Sequence, residues 1–216
     1  SSAASDVYKR QIENWSKNMY NLNTKRAKVE KGGTIEWVSG SFGSHTGCLY
    51  PMSILKGDNA KMEFTGVTFA GAGQDLDTGA KVVHIGRNTS SYMNTRSISK
   101  SGGVSTFRSS VVVEKAASGA KSSVSCQSLM LDSESRSDTI PAMDIKTRDA
   151  AVGHEARIGA ISNDAVFYLM SRGMSEEDAR ALIVSGFADN VSKELPLEYA
   201  VEMNNLIRFE MKGSIG

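Results

Sequence analysis

The side chains with the greatest capacity for chemistry are few in this sequence. Cys48 and Cys126 are its only two cysteines, and they lie 78 positions apart without a CxxC pair. A thiolate is a nucleophile and a soft metal ligand, but a free cysteine is more often a small buried hydrophobe. His45 is close enough to Cys48 to suggest a metal pair, although the strand signals around it favour buried packing. His84 lies in an alternating strand and is interpreted as a structural histidine.

Several classes of activity are disfavoured by the motifs that the sequence lacks. No segment resembles a Walker motif or a Ser/His/Asp arrangement, so neither ATPase nor hydrolase activity is expected and no catalytic residue is assigned. No cluster of carboxylates on one face supports an enzyme that acts on polysaccharides. Two cysteines cannot form a disulfide framework, so we expect a reducing compartment, the cytoplasm.

The composition predicts a folded protein outside the membrane. The chain is 40% hydrophobic and 23% charged, with a formal net charge of +1. No run of about 18 apolar residues could span a membrane, and no secretory signal is recognised. Basic residues are in excess before residue 151 and acidic residues after it. Because the basic residues are scattered and lack interleaved aromatic residues, nucleic acid is not an expected partner.

Short strand-like runs make up the first two thirds of the chain. They occur at residues 34–38, 61–69, 81–85, 109–114, 123–131 and 142–146, separated by Gly, Ser, Asn and Asp. Such runs with turn residues between them are typical of β-strands, and no helical pattern separates them. A sandwich, a barrel and a β-solenoid would each fit, so the pattern predicts an all-β region without choosing among them.

Beyond residue 160 the hydrophobic period becomes helical. Residues 163–170 place apolar side chains on one stripe, and Gly173 fits a C-terminal cap. Ser175 and the three acidic residues after it form a capping-box start, and Gly186 is expected to interrupt the helix that follows. Pro196 stands where a third helix can begin. We expect these three short helices to pack on the β region or on a partner.

Eight short segments carry a resemblance to one protein family. They are DTGAK (77–81), HIGRNT (84–89), SDTIP (137–141), GHEARIG (153–159), FYLMSRG (167–173), SEEDA (175–179), IVSGF (183–187) and ELPLEYAV (194–201). Each segment alone is weak evidence, but together, and in this order, they resemble the SufB/SufD family of iron–sulfur cluster assembly proteins. The similarity extends from about residue 12 to Gly216.

The resemblance implies a fold and a division of the chain. The family fold is a right-handed parallel β-helix (a β-solenoid) followed by a small C-terminal α-helical domain. On this basis residues 11–152 are predicted to form the β-helix and residues 153–216 the helical domain. Residues 1–10, SSAASDVYKR, resemble translated adapter sequence and are predicted to be non-native. We also expect the native part, from Gln11, to be a piece of a longer protein.

The resemblance also implies a function and a set of partners. Family members are scaffolds, not enzymes, on which an iron–sulfur cluster is assembled and then passed on. The C-terminal helices of the family bind the ABC-type ATPase SufC, and the β-helix pairs with SufD or with a second SufB. Sulfur arrives as a persulfide from an upstream donor. Cys126 favours the SufB type because SufD-type subunits generally lack that thiol; a SufD-like structural subunit is the alternative.

Three residues are candidate cluster ligands by this resemblance. Cys126, in SCQSL, matches the cysteine of cluster assembly and is the expected sulfur acceptor. His154 and Glu155 match a His-Glu pair of the family, although Gly153 stands where many bacterial relatives have another Glu. A cluster usually takes about four protein ligands. Because this chain has too few thiols for that, the resemblance implies a labile cluster shared across a subunit interface.

Two further residues match positions suggested to line a sulfur route inside the family's β-helix. These are Trp15 and Lys25. Glu13 replaces the amide side chain expected near Trp15, so the sequence departs from the family at this point.

Overall fold

Strands form the first part of the chain and helices the last. The computed structural model describes residues 6–193 and 195–212, and in these ranges eleven strands precede three helices. The strands are β1 (Asp6–Trp15), β2 (Tyr20–Val29), β3 (Thr34–Gly43), β4 (Thr46–Leu55), β5 (Lys61–Ala70), β6 (Asp75–His84), β7 (Ser90–Ser99), β8 (Val104–Val113), β9 (Ala120–Met130), β10 (Arg136–Ile145) and β11 (Ala150–Ala160). The helices are α1 (Asn163–Ser171), α2 (Glu176–Ser192) and α3 (Leu197–Lys212). None of the described helices is long and apolar enough to span a membrane.

The strands alternate between two parallel sheets. The odd-numbered strands form a six-stranded sheet in the order β1-β3-β5-β7-β9-β11, and the even-numbered strands form a five-stranded sheet in the order β10-β8-β6-β4-β2. Each strand therefore pairs with the strand two places along the chain, as in a coil that adds one strand to each sheet per turn. This confirms the predicted β-solenoid with a helical domain after it, and it excludes the sandwich and the barrel.

Side chains alternate between the interior of the coil and its outer surface. In β4, for example, every second residue is buried, as the two-residue period of a strand requires. The turns between strands stack closely as well. A side chain at Gly86 would bring its Cβ within 2.3 Å of the backbone oxygen of Gly57 in the preceding turn. Asn59 and Asn88, at successive turns, have φ angles of 60° and 53°, which asparagine tolerates better than most residues.

The interior of the coil contains an apolar core. Hydrophobic side chains from both sheets, among them Trp37, Phe64, Met93 and Phe107, form one cluster. The indole of Trp37 donates a hydrogen bond to Ser53 Oγ at 2.9 Å, so its polar atom is satisfied inside the core.

The helices cover part of the outer face of the six-stranded sheet. Phe42, Phe69 and Ile98 pack outward against the buried faces of α2 and α3. Lysines on two turns hold the end of α3: Lys17 Nζ lies 3.1 Å from Glu210 Oε2, and Lys100 Nζ donates to the carbonyl of Glu210 at 3.1 Å. A cation at the C-terminal end of a helix stabilises its unpaired carbonyls.

Some sequence-based boundaries differ from the structure. β11 runs across the predicted division at residues 152 and 153, and α1 starts only at Asn163, because β11 pairs with β9 along its whole length. The expected interruption at Gly186 is wrong: α2 continues past it, since Ala188 and Val191 are fully buried in the core beneath the helix. That burial outweighs the cost of about 1 kcal/mol of a helical glycine.

The prediction that residues 1–10 are non-native stays a prediction. Residues 1–5 lie outside the described part of the chain. Residues 6–10 belong to β1 and pair with residues 34–38 of β3.

His84 is a buried histidine held by hydroxyl groups. It is 0% exposed, with Nδ1 2.8 Å from Thr89 Oγ1 and Nε2 3.0 Å from Ser91 Oγ. Ser91 in turn donates to Ser122 Oγ at 2.8 Å. Burial lowers the pKa of His84 from 6.5 to about 4, so the imidazole is neutral in the folded protein at pH 7. Its surroundings are those of a structural histidine, as the sequence indicates.

We expect the stability of the fold to decrease in mildly acidic solution because of His84. Between the folded pKa of about 4 and the unfolded value of 6.5, the unfolded chain binds a proton that the folded chain does not. With respect to His84, the free energy of unfolding therefore has its full value above pH 6.5. It should decrease by about 3 kcal/mol as the pH falls towards 4. Urea unfolding at a series of pH values measures this decrease, and H84Q, which cannot titrate, should remove most of the slope above pH 5. An unchanged slope in H84Q would contradict this assignment.

Candidate functional site

Cys126 lies inside the coil near its last turn. It is 2% exposed, and its side chain belongs to the interior core. Three polar atoms lie within reach of its Sγ: Thr139 Oγ1 at 3.7 Å, His154 Nε2 at 3.6 Å and the backbone oxygen of Glu155 at 3.6 Å. These contacts come from β10 and β11, the last strands of the two sheets. The final turn of the coil therefore surrounds the thiol with polar atoms.

His154 and Glu155 are neighbours in sequence but face opposite sides of β11. The imidazole of His154 turns inward to Cys126, whereas the carboxylate of Glu155 turns outward and pairs with Arg157 Nη2 at 2.6 Å. The Glu155 side chain is 58% exposed. The structure thus brings Cys126 and His154 together and leaves the carboxylate of Glu155 on the outer surface, because successive residues of a strand point to opposite faces.

Burial determines the electrostatics of the thiol. It raises the pKa of Cys126, and the hydrogen bond with Thr139 opposes that effect. The thiol is therefore the resting form at neutral pH. Nε2 of His154 can accept its proton when that nitrogen is the unprotonated one, a tautomer that its neighbours must select.

Small side chains form a row inside the coil that ends at Cys126. Strand pairing stacks Gln11, Ser39, Gly66, Thr95, Cys126 and Ala156 on successive odd-numbered strands. All of them lie on the inward face because each is two residues from a side chain of the interior, such as Met93 beside Thr95. Adjacent strands lie about 4.8 Å apart, so Gln11 and Cys126 are separated by about 19 Å along the coil.

A buried polar network occupies the other end of this row. Glu13 is 5% exposed, and its carboxylate accepts hydrogen bonds from Gln11 at 2.5 Å, Asn21 at 2.5 Å and Asn23 at 3.3 Å. Lys25 Nζ donates to Gln11 Oε1 at 2.5 Å and lies 3.6 Å from Glu13. Burial lowers the pKa of Lys25, and the nearby charge of Glu13 opposes that effect. The network places one charge of each sign inside the first turn.

Trp15 lies beside this network. It is 48% exposed and lines an open groove of about 520 Å³ between β1 and α3, together with two members of the network, Gln11 and Glu13, and with Tyr199. Trp15 and Lys25 are therefore connected through Gln11 and Glu13 at the first turn.

The second cysteine is remote from this arrangement. Cys48 is half-buried on the outer face of β4, where its register partner in β6 is Asp77. Burial raises its pKa, and the charge of Asp77 adds to that effect. His45 stacks edge-on against Tyr20 at a centroid distance of 5.6 Å. In the described ranges, no three His, Cys, Asp or Glu side chains are grouped to hold a metal ion.

Two hydroxyl residues of the site were not identified from the sequence. Thr139 on β10 faces the thiol of Cys126, and Thr95 on β7 is the register partner of Cys126. Both occur in polar stretches that resemble many others in the chain. Only strand register distinguishes them, and a sequence pattern does not specify which strands pair.

The last turn of the coil is open at its C-terminal end. Met143 and Ile145 of β10 and Ile158 of β11 are between 42% and 50% exposed, although they stand at inward positions of their strands. β10 and β11 each have one partner strand in the described chain, so one edge of each is unpaired. Exposed apolar side chains beside unpaired strand edges are typical of surfaces that another chain covers.

Comparison with known proteins gives concordant results. The family model described as "SUF system FeS cluster assembly, SufBD core domain" matches residues 2–187. The chain is 48% identical over 205 residues to the iron–sulfur cluster assembly protein SufB of Bacillus subtilis, and the alignment covers 95% of this chain and 44% of that protein. An iron–sulfur cluster assembly SufBD family protein of Mycobacterium leprae is also 48% identical over 205 residues, covering 95% of this chain and 24% of the relative. A SufBD family protein of Staphylococcus epidermidis is 49% identical, with 44% of its length covered. The chain thus spans between about a quarter and less than half of the length of these relatives.

Proposed function

The chain belongs to the SufBD family of the SUF system for iron–sulfur cluster assembly, and we propose that it has the SufB-type role in that system. In this role it is a scaffold in the cytoplasm that accepts sulfur and iron, holds a labile cluster and passes the cluster on. The observation that carries this proposal is the contact between Cys126 Sγ and His154 Nε2 at 3.6 Å. A SufD-like structural subunit, the second candidate, has no use for a buried thiol beside an imidazole.

The pair can accept sulfur from a persulfide donor. His154 takes the proton of the Cys126 thiol, and the thiolate attacks the outer sulfur of a persulfide on the donor protein. A new S–S bond forms on Cys126, the S–S bond of the donor breaks, and the donor leaves as a thiolate. Sulfur moves without net oxidation or reduction, so no further reactant is needed for this step.

Iron is the second substrate, and the chain offers it an incomplete set of ligands. Cys126 and His154 supply one sulfur and one nitrogen ligand, both suited to iron. Glu155 is a third candidate on the outer surface, where its carboxylate would first have to leave Arg157. A cluster takes about four ligands, and the proposal assigns the remaining ones to another subunit. Partial ligation suits a scaffold, because a weakly held cluster is easily released.

The open end of the coil is where that other chain would bind. Met143, Ile145 and Ile158 are exposed at inward positions of the last turn, the same turn that contributes Thr139 and His154 beside Cys126. A SufD subunit or a second SufB-type subunit that covered this end would bury these side chains and bring its own ligands to the thiol. The cluster would then lie at the interface.

The outer face of the helices is the proposed binding site for the SufC-type ATPase. In this proposal ATP is hydrolysed by that partner. Phe167, Leu197 and Phe209 are 72%, 77% and 57% exposed, while the opposite face of α2 and α3 is buried on the coil. Large exposed apolar side chains such as these, on α1 and α3, are candidates for an interaction surface. The helices do not need these residues for their own packing.

The small-residue row supports a route for sulfur inside the coil. Lys25 and Gln11 stand at its first turn and Cys126 stands four odd-numbered strands later. Trp15 lines the groove beside the first turn together with Gln11 and Glu13, so it stands at the start of this proposed route. Between the two ends of the row, Ser39 has a small side chain and Gly66 has none, and the ring of Phe64 packs beside Gly66.

Replacement of Cys126 tests the central proposal. In the complete protein, C126S should abolish cluster formation, because an alcohol is a harder ligand and cannot carry a persulfide. C48S is the matched control and should form clusters as the unchanged protein does. Anaerobic reconstitution followed by visible absorbance and by iron and sulfide analysis measures the yield.

The melting temperature separates this outcome from a packing effect. Serine is close to cysteine in volume, so C126S should melt within a few degrees of the unchanged protein. H154A should lower cluster retention more than it lowers the melting temperature. Full cluster yield in C126S would refute the role of Cys126 as sulfur acceptor.

Surface substitutions on the helices test the SufC assignment. F167S combined with F209S should abolish co-purification of the SufC-type ATPase while changing the free energy of unfolding by less than about 1 kcal/mol, since both side chains are exposed. Y92S, an equally mild change on the outer face of the six-stranded sheet where Tyr92 is 44% exposed, is the control. Retained binding in the double variant would remove this assignment.

Charge at the open end tests the subunit interface. I158D should prevent pairing with SufD or with a second copy, because it would bury an unpaired carboxylate. Size-exclusion chromatography with light scattering, with and without SufD, measures both kinds of pairing. Y92D is the matched control, and normal pairing of I158D would contradict the placement of the interface.

A further inference from the structure

One hydroxyl group in the interior of the coil has no hydrogen-bond partner. Thr95 is 5% exposed, and its Oγ1 is one of two buried side-chain polar atoms without a partner among the described residues; the other is Arg10 Nε. Other interior hydroxyls are paired: Thr68 with Thr78 at 3.1 Å, and Ser99 with Ser105 at 2.9 Å. An unpaired buried hydroxyl is destabilising. A bound ligand that formed a hydrogen bond with Thr95 Oγ1 would therefore remove this cost.

The unpaired hydroxyl lies next to Cys126. Strand pairing makes Thr95 and Cys126 register partners on β7 and β9, and both side chains face inward. The methyl group of Thr95 is the part nearest to Gly66 on the opposite side, because a Cβ built on Gly66 would lie 3.6 Å from Thr95 Cγ2. The hydroxyl is therefore the end turned away from Gly66.

The register neighbours of Thr95 and Cys126 along the row are small. The register neighbour of Thr95 before it is Gly66, and the neighbour of Cys126 after it is Ala156. Side chains of paired residues in adjacent strands have Cβ atoms about 5 Å apart. A sulfur atom added to Cys126 lies about 2 Å from Sγ, which brings it within hydrogen-bond range of a hydroxyl on the adjacent strand.

We propose that Thr95 binds the outer sulfur of a persulfide on Cys126 and holds it until iron arrives. The proposal rests on the sulfur-accepting function of Cys126 described above. The persulfide forms when the Cys126 thiolate takes the outer sulfur of a donor persulfide, and Thr95 takes no part in bond formation or cleavage. It is a positioning residue: its hydroxyl donates a hydrogen bond to the outer sulfur, whose lone pairs or negative charge accept it. Thr139, in contact with Sγ at 3.7 Å, keeps the inner sulfur in place on the other side.

Removal of the hydroxyl tests this proposal directly. The complete protein is reduced, loaded with inorganic polysulfide, desalted and incubated without oxygen, and samples are then denatured, alkylated and digested with trypsin. The thiolate displaces one sulfur from polysulfide, which leaves one sulfur shorter. Mass spectrometry of the tryptic peptide 122–136, which contains Cys126 and no other cysteine, measures the fraction that carries an added sulfur. T95V should lose that sulfur about tenfold faster than the unchanged protein, because one hydrogen bond to a charged acceptor is lost.

Matched variants separate binding of sulfur from packing. T95S keeps the hydroxyl and should hold sulfur as long as the unchanged protein does. T68V removes a paired interior hydroxyl far from the thiol, so it should lower the melting temperature and leave sulfur retention unchanged. T95V should show the opposite pattern, with an unchanged or higher melting temperature, because the group it removes has no partner in the protein.

The possible results distinguish this proposal from the function on which it rests. Equal sulfur retention in T95V and the unchanged protein would overturn the role of Thr95 and leave Cys126 as the acceptor. A fall in the melting temperature of T95V as large as that of T68V would also overturn it, since the hydroxyl would then have a structural partner. Absence of added sulfur on peptide 122–136 of the unchanged protein would overturn the sulfur-accepting function itself.

Discussion

Each strand from β3 to β9 forms hydrogen bonds with one strand of the preceding turn and one strand of the following turn, and this parallel pairing fixes where every side chain stands along the coil. Residues far apart in sequence become neighbours about 4.8 Å apart because the strands are in register. Thr95 and Cys126 meet in this way, as do Cys126 and Ala156. The proposed cluster-assembly site, the row of small residues beside it and the network at the far end of that row are all consequences of one pairing rule repeated from turn to turn.

The interior of the coil is unusual in combining an apolar core with many hydroxyl groups. Polar atoms can be buried without large cost only when they find partners, and the hydroxyls around His84 and between Thr68 and Thr78 do so. The charges of Glu13 and Lys25 compensate each other within a set of amide donors and acceptors. Of the two exceptions among the described residues, Arg10 Nε and Thr95 Oγ1, the second stands beside the buried thiol of Cys126. Incomplete satisfaction of polar groups at this place is consistent with a site that is completed by its substrate.

The helical domain and the open end give the coil two different outer surfaces. α2 and α3 seal the apolar outer face of the six-stranded sheet with Val184, Met203 and Ile207, which leaves their other face free to bind a partner. Met143, Ile145 and Ile158 at the open end have no such cover among the described residues, and another subunit is proposed to shield them. A scaffold in which chemistry depends on assembly can keep sulfur and iron from reacting before its partners are present.

The sequence by itself determined the elements and the chemical candidates. Alternating runs such as residues 61–69 predicted strands, the capping box at Ser175 predicted the start of α2, and the family motifs selected Cys126 and His154. Strands with polar or glycine-containing sequences were not predicted: β2, β4 and β7 have Asn, Pro, Ser or Gly at inward positions where the pattern requires an apolar residue, and β11 has His154 at one of them. Only the tertiary structure decided that Glu155 faces away from the thiol, that Trp15 meets the Lys25 network at the groove lined by Gln11 and Glu13, and that Thr95 and Thr139 stand beside Cys126. The physical reason is that strand period and helix caps are local properties of a chain, whereas the register of a parallel sheet joins residues about thirty positions apart and is set by the burial of the whole coil.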